Sequence, residues 1–571
     1  MTRPALSCRT FFSNDRTPRP GSSSMSASTT TGKAAESGSA WAPLARPVFR
    51  ALWIAQFVSN IGTWMQTVGA QWLLLGHGAT MVTLVQTASS LPIVLLALPS
   101  GVLADRFDRR GLLVVAQVAM FAVSAVLTVL AFADALSAVP LLVLTFLLGC
   151  GTALMGPSWQ AIQPELVERE QLGQASALGA VNMNLARAVG PALGGVVVAA
   201  AGAGWVFGFN ALSFLGIAAV LVLWHRPKTA VPAGQQERLL TALHAGRRYV
   251  WNAPGVRRVL LRTALFIPGA AALWSLLPLI AADSLGMGSG GYGLLLGAVG
   301  VGAVGGAFAL PWLRQHLGIN GILAAGAVMF ALVLLVLATV HIVWIAVLAL
   351  LPAGVAWIGV LSTLNAAIQT RLPGWVRARG LAVYLLVFQG GQAVAAPVWG
   401  ALVQWLGLTA ALLIGTVVML LSALTLYRWK LYSMEGIDPS LSDHWPTPPL
   451  VFEPGLADGP VLVSVVYHVA PDDCAAFIDA MDRVAHSRRR TGALTWGLFQ
   501  DGNEAGRFIE NYLVGSWAEH LAQHHNRLTT TDRGFEDRVR ALLLPGIEPE
   551  VTHAFDATVG PVVPRTETPS A

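Results

Sequence analysis

Apolar residues fill long stretches of this chain, and polar residues are confined to the intervals between them or to narrow faces within them. A helix that crosses a bilayer needs about 20 mostly apolar residues. Stretches of that kind run over 51–75, 82–104, 111–132, 139–162, 172–201 and 206–224. A polar interval follows, and they resume over 260–282, 290–313, 320–340, 342–366, 379–406 and 409–428. The pattern predicts twelve spanning helices in two groups of six. After Lys430 the pattern changes. A Pro-rich linker leads to alternating, strand-like runs at 461–469, 493–500 and 507–515, and a short one at 550–555. A helix opened by Pro471-Asp472-Asp473 separates the first pair, and a long helical region, 517–544, precedes the last strand. The order β-α-β-β-α-β predicts a small ferredoxin-like α+β domain.

Composition agrees with this division. Of 571 residues, 54% are apolar and 12% charged, and the mean hydropathy is +0.61. An ordinary soluble domain carries about 25% charged residues. From Gly455 onward, 16 acidic and 10 basic residues fall within 117, leaving only 40 charges for the 454 residues before them. A single soluble enzyme is excluded. The chain as a whole carries a net +6, and the part before Gly455 is +12. That excess sits in short loops, at Arg106, Arg109 and Arg110, across 225–259, at Arg371, Arg377 and Arg379, and at Arg428 and Lys430. The alternate loops lack Lys and Arg. This is the positive-inside pattern, not a nucleic-acid footprint, and it predicts a multi-pass cell-membrane protein with both termini cytoplasmic. Cys8, Cys150 and Cys474 form neither a metal spacing nor a disulfide framework.

The expected organisation is a disordered segment 1–45, a first membrane half 46–224, a cytoplasmic loop 225–258, a second membrane half 259–431, a linker 432–458, the α+β domain 459–556 and a disordered tail 557–571. Met25 offers a second start site. The two halves repeat: Ala161-Ile162-Gln163 recurs as Ala367-Ile368-Gln369, and Pro191 and Gly194 match Pro397 and Gly400. Such duplicated halves are the plan of rocking secondary transporters.

Two motifs carry a resemblance. The stretch from Gly101 to Arg110, GVLADRFDRR, resembles motif A of the major facilitator superfamily, between the second and third spans. Gly190-Pro191-Ala192-Leu193-Gly194-Gly195 on the fifth span resembles the motif of its exporter branch. Together with the soluble C-terminal domain, the chain resembles the enterobactin-exporter-like, transmembrane secretion effector group. The C-terminal pattern is similar to that of antibiotic-biosynthesis-monooxygenase-like domains. The resemblance implies that Gly101, Asp105, Arg106, Arg109 and Arg110 form a cytoplasmic gate. Gly101 would permit close backbone approach and Asp105 would meet a helix N-terminus or the arginines. A helix stop with basic anchors is the alternative. Gly190, Pro191, Gly194 and Gly195 would shape a hinge or simply allow close packing.

Ionisable residues inside a bilayer are costly and point to function. Arg187 on the fifth span is the clear case, on one face with Asn184. It reads as a cavity cation for an anionic or hydroxylated cargo group, or as a structural arginine. Gln56, Asn60, Thr63, Thr67 and Gln71 make a polar stripe along the first span, flanked by Trp64. Asn365 on the tenth span and Gln392 on the eleventh add polar positions. The resemblance implies that spans one, four, seven and ten line a central cavity. Trp64, Trp159, Trp274 and Trp357 fall on those four spans and suit an aromatic or amphipathic cargo, interface anchoring or plain packing.

The implied function is export of a small organic compound, such as a siderophore, drug or other secondary metabolite, by alternating access. Proton antiport is implied by the resemblance, although no carboxylate lies deep in the predicted spans. The partners expected are the cargo and the lipid bilayer, with self-association through the C-terminal domain. The competing reading is a membrane-anchored enzyme or sensor whose activity resides in that domain. No cofactor fingerprint or catalytic motif is present. His520, His524 and His525 lack an HExxH pattern and a completing carboxylate, so they are expected on a solvated helix face with no metal.

Overall fold

The computed structural model describes residues 39, 41–224, 239–431 and 454–556, and within the linker residues 438, 440–442, 445, 450 and 452. The expected disorder at 1–38 and 557–571 lies outside the described residues. Residues Ala42–Ala45, expected to be unstructured, form a 3-10 turn ahead of the first span.

The first half consists of α1 (Pro47–Leu73), α2 (Ala79–Arg106), α3 (Arg109–Phe132), α4 (Ala138–Leu166), α5 (Leu172–Ala201) and α6 (Ala203–Leu223). The interval expected to be a loop contains a further helix, α7 (Leu239–Asn252). It has the amphipathic pattern of a surface helix and is too short to span. The second half comprises α8 (Pro254–Leu279), α9 (Ser289–Thr339), α10 (Val343–Arg371), α11 (Arg377–Leu406) and α12 (Leu408–Arg428). A π-helical turn, Ile280–Ser284, extends α8. Within α9 the backbone leaves helical geometry at Gly318 (φ 61°, ψ 179°), which divides it into two spans. A positive φ is the conformation that glycine adopts without a Cβ penalty. Among the described residues ten helices are long and apolar enough to cross a membrane; with α9 taken as two spans and α1 added, the bundle has twelve.

Over the last three helices of each half the repeat seen in sequence is exact in element length. Helices α4, α5 and α6 have 29, 30 and 21 residues, and so do α10, α11 and α12. Each pair is offset by 205 positions. Gly202 (φ 90°) and Gly407 (φ 84°) make the same one-residue reversal in the two halves.

The C-terminal domain contains β1 (Val461–His468), α13 (Cys474–Thr491), β2 (Ala493–Gln500), β3 (Arg507–Val514), α14 (Trp517–Ala522), α15 (Thr530–Arg540) and β4 (Glu550–Phe555). The sheet order is β2-β3-β1-β4 with every neighbouring pair antiparallel, the ferredoxin-like arrangement. The helical region expected to run unbroken from 517 to 544 is divided. A π turn, Gln523–Arg527, follows α14, and Thr529 then caps α15 in a capping box with Asp532. Val461, Val463, Phe477, Met481, Val484 and Val514 form the core beneath the sheet.

The domain sits on the second membrane half. Arg248 of α7 pairs with Glu519 of α14 at 3.0 Å. The Arg527 guanidinium lies 5.0 Å above Trp375, in the turn between α10 and α11. Trp375 meets Tyr249 of α7 edge to face at 5.5 Å, and Arg490 stacks on Tyr249 at 5.8 Å.

Candidate transport pathway

The two halves are fastened together at one end of the bundle. Helix α5 lies against the start of α9, because glycines on both remove the side chains that would separate them. A Cβ on Gly195 would come within 2.6 Å of the Ser289 carbonyl oxygen and 2.8 Å of Gly293 Cα. A Cβ on Gly293 would come within 2.7 Å of the Pro191 carbonyl oxygen. Helix α11 lies against α2 in the same way: a Cβ on Gly400 would come within 2.7 Å of Thr80 Cα. Polar bonds cross this junction. Gln86 Nε2 donates to Gln392 Oε1 at 2.9 Å, Thr87 to the Ala393 carbonyl at 2.8 Å, and Thr80 to Gln404 at 2.8 Å. The Tyr292 hydroxyl donates to Gln71 Oε1. All of these lie at the end away from the arginine-rich loops.

At the opposite end of the first half, α1, α4 and α5 enclose a cavity of about 600 Å³. Gln56, Asn60 and Trp159 line it, together with Trp53, Gln163 and Asn182. The polar stripe of α1 builds a short network there. Gln56 donates to Asn60, Asn60 Nδ2 donates to Asn182 Oδ1 at 2.9 Å, and Asn182 donates to the Trp53 carbonyl at 2.8 Å. Gln56 Oε1 is buried and has no partner among the described residues. The polar residue of α5 that faces α1 is therefore Asn182. Asn184, selected from the sequence for its spacing to Arg187, donates to the Ala180 carbonyl on its own helix. Helical spacing placed both on α5, but only the position of α1 decides which one meets it.

Between cavity and seal, aromatic rings cross from one half to the other. Trp64 meets Trp274 at 6.4 Å, Trp274 meets Trp357 at 5.1 Å, and Trp357 meets Phe388 at 6.3 Å. The Arg187 guanidinium lies 5.3 Å from the Trp64 ring centre, within cation–π range. Arg187 Nε and the Trp274 and Trp357 indole nitrogens are buried without hydrogen-bond partners among the described residues. Three of the four sequence-selected tryptophans thus form one row, and Trp159 lies apart in the cavity. Asn365 is exposed and accepts from Gln369 at 2.9 Å. Gln392, selected as a cavity residue, is spent on the junction with Gln86.

The motif A residues behave differently from the expectation. Among the described residues nothing lies within 4 Å of a Cβ on Gly101. The side chains of Asp105 and Arg106 lie outside the described residues. Arg109 pairs with Glu165 of α4 at 3.7 Å, and Arg110 donates to the Leu221 and Val222 carbonyls at the end of α6, both at 2.6 Å. Both arginines join helices of the same half, and Arg110 completes the unsatisfied carbonyls of a helix C-terminus. On α5, a Cβ on Gly190 would sit 2.7 Å from Trp64 Cβ, and one on Gly194 would sit 2.8 Å from Met65 Cα. These glycines, with buried Pro191, set the spacing of α1, α5 and α9.

Sequence reading missed a second buried arginine. Arg262 of α8 is 3% exposed and donates to the Ser422, Thr425 and Trp429 carbonyls at the end of α12 and to the Thr425 hydroxyl. It lies three residues into the predicted seventh span, at 260–282, where it was not singled out beside Arg187.

A family model for transmembrane secretion effectors matches residues 38–559. The chain belongs to this family. Among curated relatives of this secretion effector, the staphyloferrin A transporter of Staphylococcus aureus is 25% identical over 289 residues, 49% of this chain and 71% of that protein. The enterobactin exporter EntS of Salmonella typhi is 29% identical over 268 residues, 46% of this chain and 63% of that protein. The match therefore spans less than two thirds of the exporter's own length. Among solved structures, that of the nucleoside transporter NupG aligns with TM-score 0.57 at 13% identity, covering 67% of this chain and all of that one. A POT family transporter aligns with TM-score 0.53 at 15% identity, covering 66% and 95%. These likenesses show the fold alone, a multi-pass helical bundle of the major facilitator type, as the motifs implied.

The interior of its C-terminal domain is unlike the bundle. Arg488, 5% exposed, pairs with Glu510 at 3.1 Å and Glu536 at 2.5 Å. Tyr467 and Trp496 donate to Glu510, and Trp445 donates to Glu536. Burial by itself would lower the Arg488 pKa, but the two carboxylates override it and hold the guanidinium charged. A cavity of about 510 Å³ lies beside this group, lined by Val463, Tyr512, His520, His524 and His553 among others. His520 and His524 are 1% and 5% exposed, contrary to the solvated face expected of them. Burial, and then the neighbouring His524 and His553, push the His520 imidazole down to about 3, so it is neutral at pH 7.

Proposed function

We propose that this protein exports a small organic compound by alternating access. The state described here would receive cargo from the cytoplasm. The observation that carries this reading is the asymmetry of the bundle: the halves are latched at one end, and a polar cavity lies at the other. The positive-inside pattern assigns the cavity end to the cytoplasm and both termini with it. Cargo would enter past Gln56, Asn60 and Trp159 and reach the aromatic row, where Arg187 Nε and the Trp274 and Trp357 indole N–H groups offer donors that have no partner among the described residues. Donors beside flat apolar rings suit a compound with aromatic or apolar surface and an anionic or hydroxylated group. The siderophore-handling relatives support that class. The twelve-span plan with duplicated halves supports rocking about the α5–α9 and α2–α11 contacts, with Gly190, Pro191, Gly194 and Gly195 as pivot. Gly101, Asp105, Arg106, Arg109 and Arg110 would close the cytoplasmic end in the opposite state.

The test is uptake into inverted membrane vesicles across a panel of chelators, drugs and secondary metabolites, with and without a proton gradient. Wild-type vesicles should accumulate an aromatic, anionic or hydroxylated member. Arg187→Ala should reduce uptake at least tenfold. Failure of wild type on the whole panel, or equal uptake by Arg187→Ala, overturns the reading. Loss of uptake on collapsing the gradient would support proton coupling. The C-terminal domain would serve as a docked accessory module, with self-association through the outer sheet face that exposes Leu462 and Phe499.

A further inference from the structure

We propose that His520, His524 and His553 of the C-terminal domain together bind a divalent first-row transition-metal ion, with the remaining coordination position facing the domain's cavity. The three side chains come from separate places. His520 is on α14, His524 is on the π turn that follows, and His553 is on β4, where it pairs with Val463 of β1. One ligand nitrogen from each lies within 4.8 Å of the others. His520 Nε2 is 2.9 Å from His553 Nε2 and 3.2 Å from His524 Nε2. Nitrogens bound at about 2.0–2.1 Å to one tetrahedral ion stand about 3.3 Å apart, so a small closure completes the site.

The surrounding hydrogen bonds fix how His520 presents its ring. Gln523 Nε2 donates to Thr491 Oγ1 at 3.1 Å, which turns its Oε1 toward His520 Nδ1 at 3.3 Å. Nδ1 of His520 therefore carries the proton, and Nε2 presents a single lone pair. Two further ring nitrogens converge on that lone pair, and it can accept only one hydrogen bond. A cation at the point of convergence satisfies all three. The Gln523 contact is also the outer-shell hydrogen bond that fixes the tautomer of a ligating histidine.

Imidazole ligands suit zinc, copper, iron and nickel, and three protein ligands with an open position are the plan of a reactive or ligand-binding site rather than a closed structural one. The open side meets the 510 Å³ cavity, so the ion's further ligand would be a small molecule with an oxygen or nitrogen donor. This inference stands independently of the transport reading, since it concerns the C-terminal domain alone.

The test uses the full chain, purified in detergent through a histidine-free tag, stripped with a chelator and titrated with Co²⁺. Wild type should bind one equivalent with visible d–d absorption, displaced by Zn²⁺. His553→Ala and His524→Gln should weaken binding at least 100-fold, and Gln523→Ala by about 10–100-fold. His525→Ala should bind as wild type does. Absence of stoichiometric binding by wild type at tenfold excess Co²⁺ overturns the proposal, and that measurement does not depend on any variant folding. Undiminished binding by His553→Ala also overturns it.

Discussion

The membrane bundle and the C-terminal domain each bury an arginine against aromatic rings, and they treat it in opposite ways. Arg488 has two carboxylates, Glu510 and Glu536, and two rings, Trp445 and Tyr512, around it. Arg187 has the Trp64 ring and a buried Nε without a hydrogen-bond partner among the described residues. The first is a closed set of interactions, in which each member holds the others in one geometry. The second leaves hydrogen-bonding capacity open among the described residues, beside the row of rings that crosses from one half to the other. Arg262 shows that the bundle can satisfy an arginine fully when the role is structural: three backbone carbonyls and a hydroxyl receive it at the end of α12. The difference separates groups that fix the fold from a group that the proposed function leaves available to cargo.

That contrast can be broken or sharpened by substitution. The largest effect is expected for Glu510→Ala, which leaves Arg488 buried with half of its compensation gone. Breaking a buried pair from one side costs about 3–5 kcal/mol, so thermal unfolding of the C-terminal domain, followed by tryptophan fluorescence in the full chain, should move down by many degrees. Next is Gly195→Val. Its Cβ would meet backbone on α9, and overpacking of this kind costs about 1–3 kcal/mol. The sealed end should open, seen as faster thiol labelling of a cysteine placed at Ser289. Gln86→Ala removes one hydrogen bond across the junction. Such bonds average about 0.6 kcal/mol in membrane proteins, so the same labelling should rise roughly threefold. Arg187→Ala should leave bundle stability within about 0.5 kcal/mol of wild type while uptake falls. A large loss of stability there would place Arg187 with Arg262 and Arg488 and end the contrast.

Much of the architecture was legible in the chain. The apolar runs located the spans, including the division of α9, where Gly318 interrupts a continuous helix. Alternation located all four strands of the C-terminal domain. Parts of the candidate pathway were also visible, because a polar residue in an apolar run stands out: Gln56, Asn60, Trp159 and Arg187 all lie on the cavity or the aromatic row. Other parts were not. Asn182 and Asn184 differ only in the direction they point, and that depends on where α1 packs. Gln392 looked like a cavity residue until α2 was placed beside it. Helix α7 was hidden because its amphipathic pattern is too short to stand out within a charged interval. The histidine group was hidden because His553 is 29 positions beyond His524, and its strand pairs with β1 rather than with anything near α14.

What the sequence determined by itself was the number, approximate extent and repeat of the membrane helices and the succession of strands and helices in the C-terminal domain. These follow from local rules: a bilayer requires each buried backbone group to be paired within its own segment, and a half-buried strand alternates. What only the tertiary structure decided was which end of the bundle is sealed, which polar side chains remain without partners, and which histidines meet. Those depend on the approach of residues hundreds of positions apart, as with Gln86 and Gln392, and no local pattern encodes the distance between them.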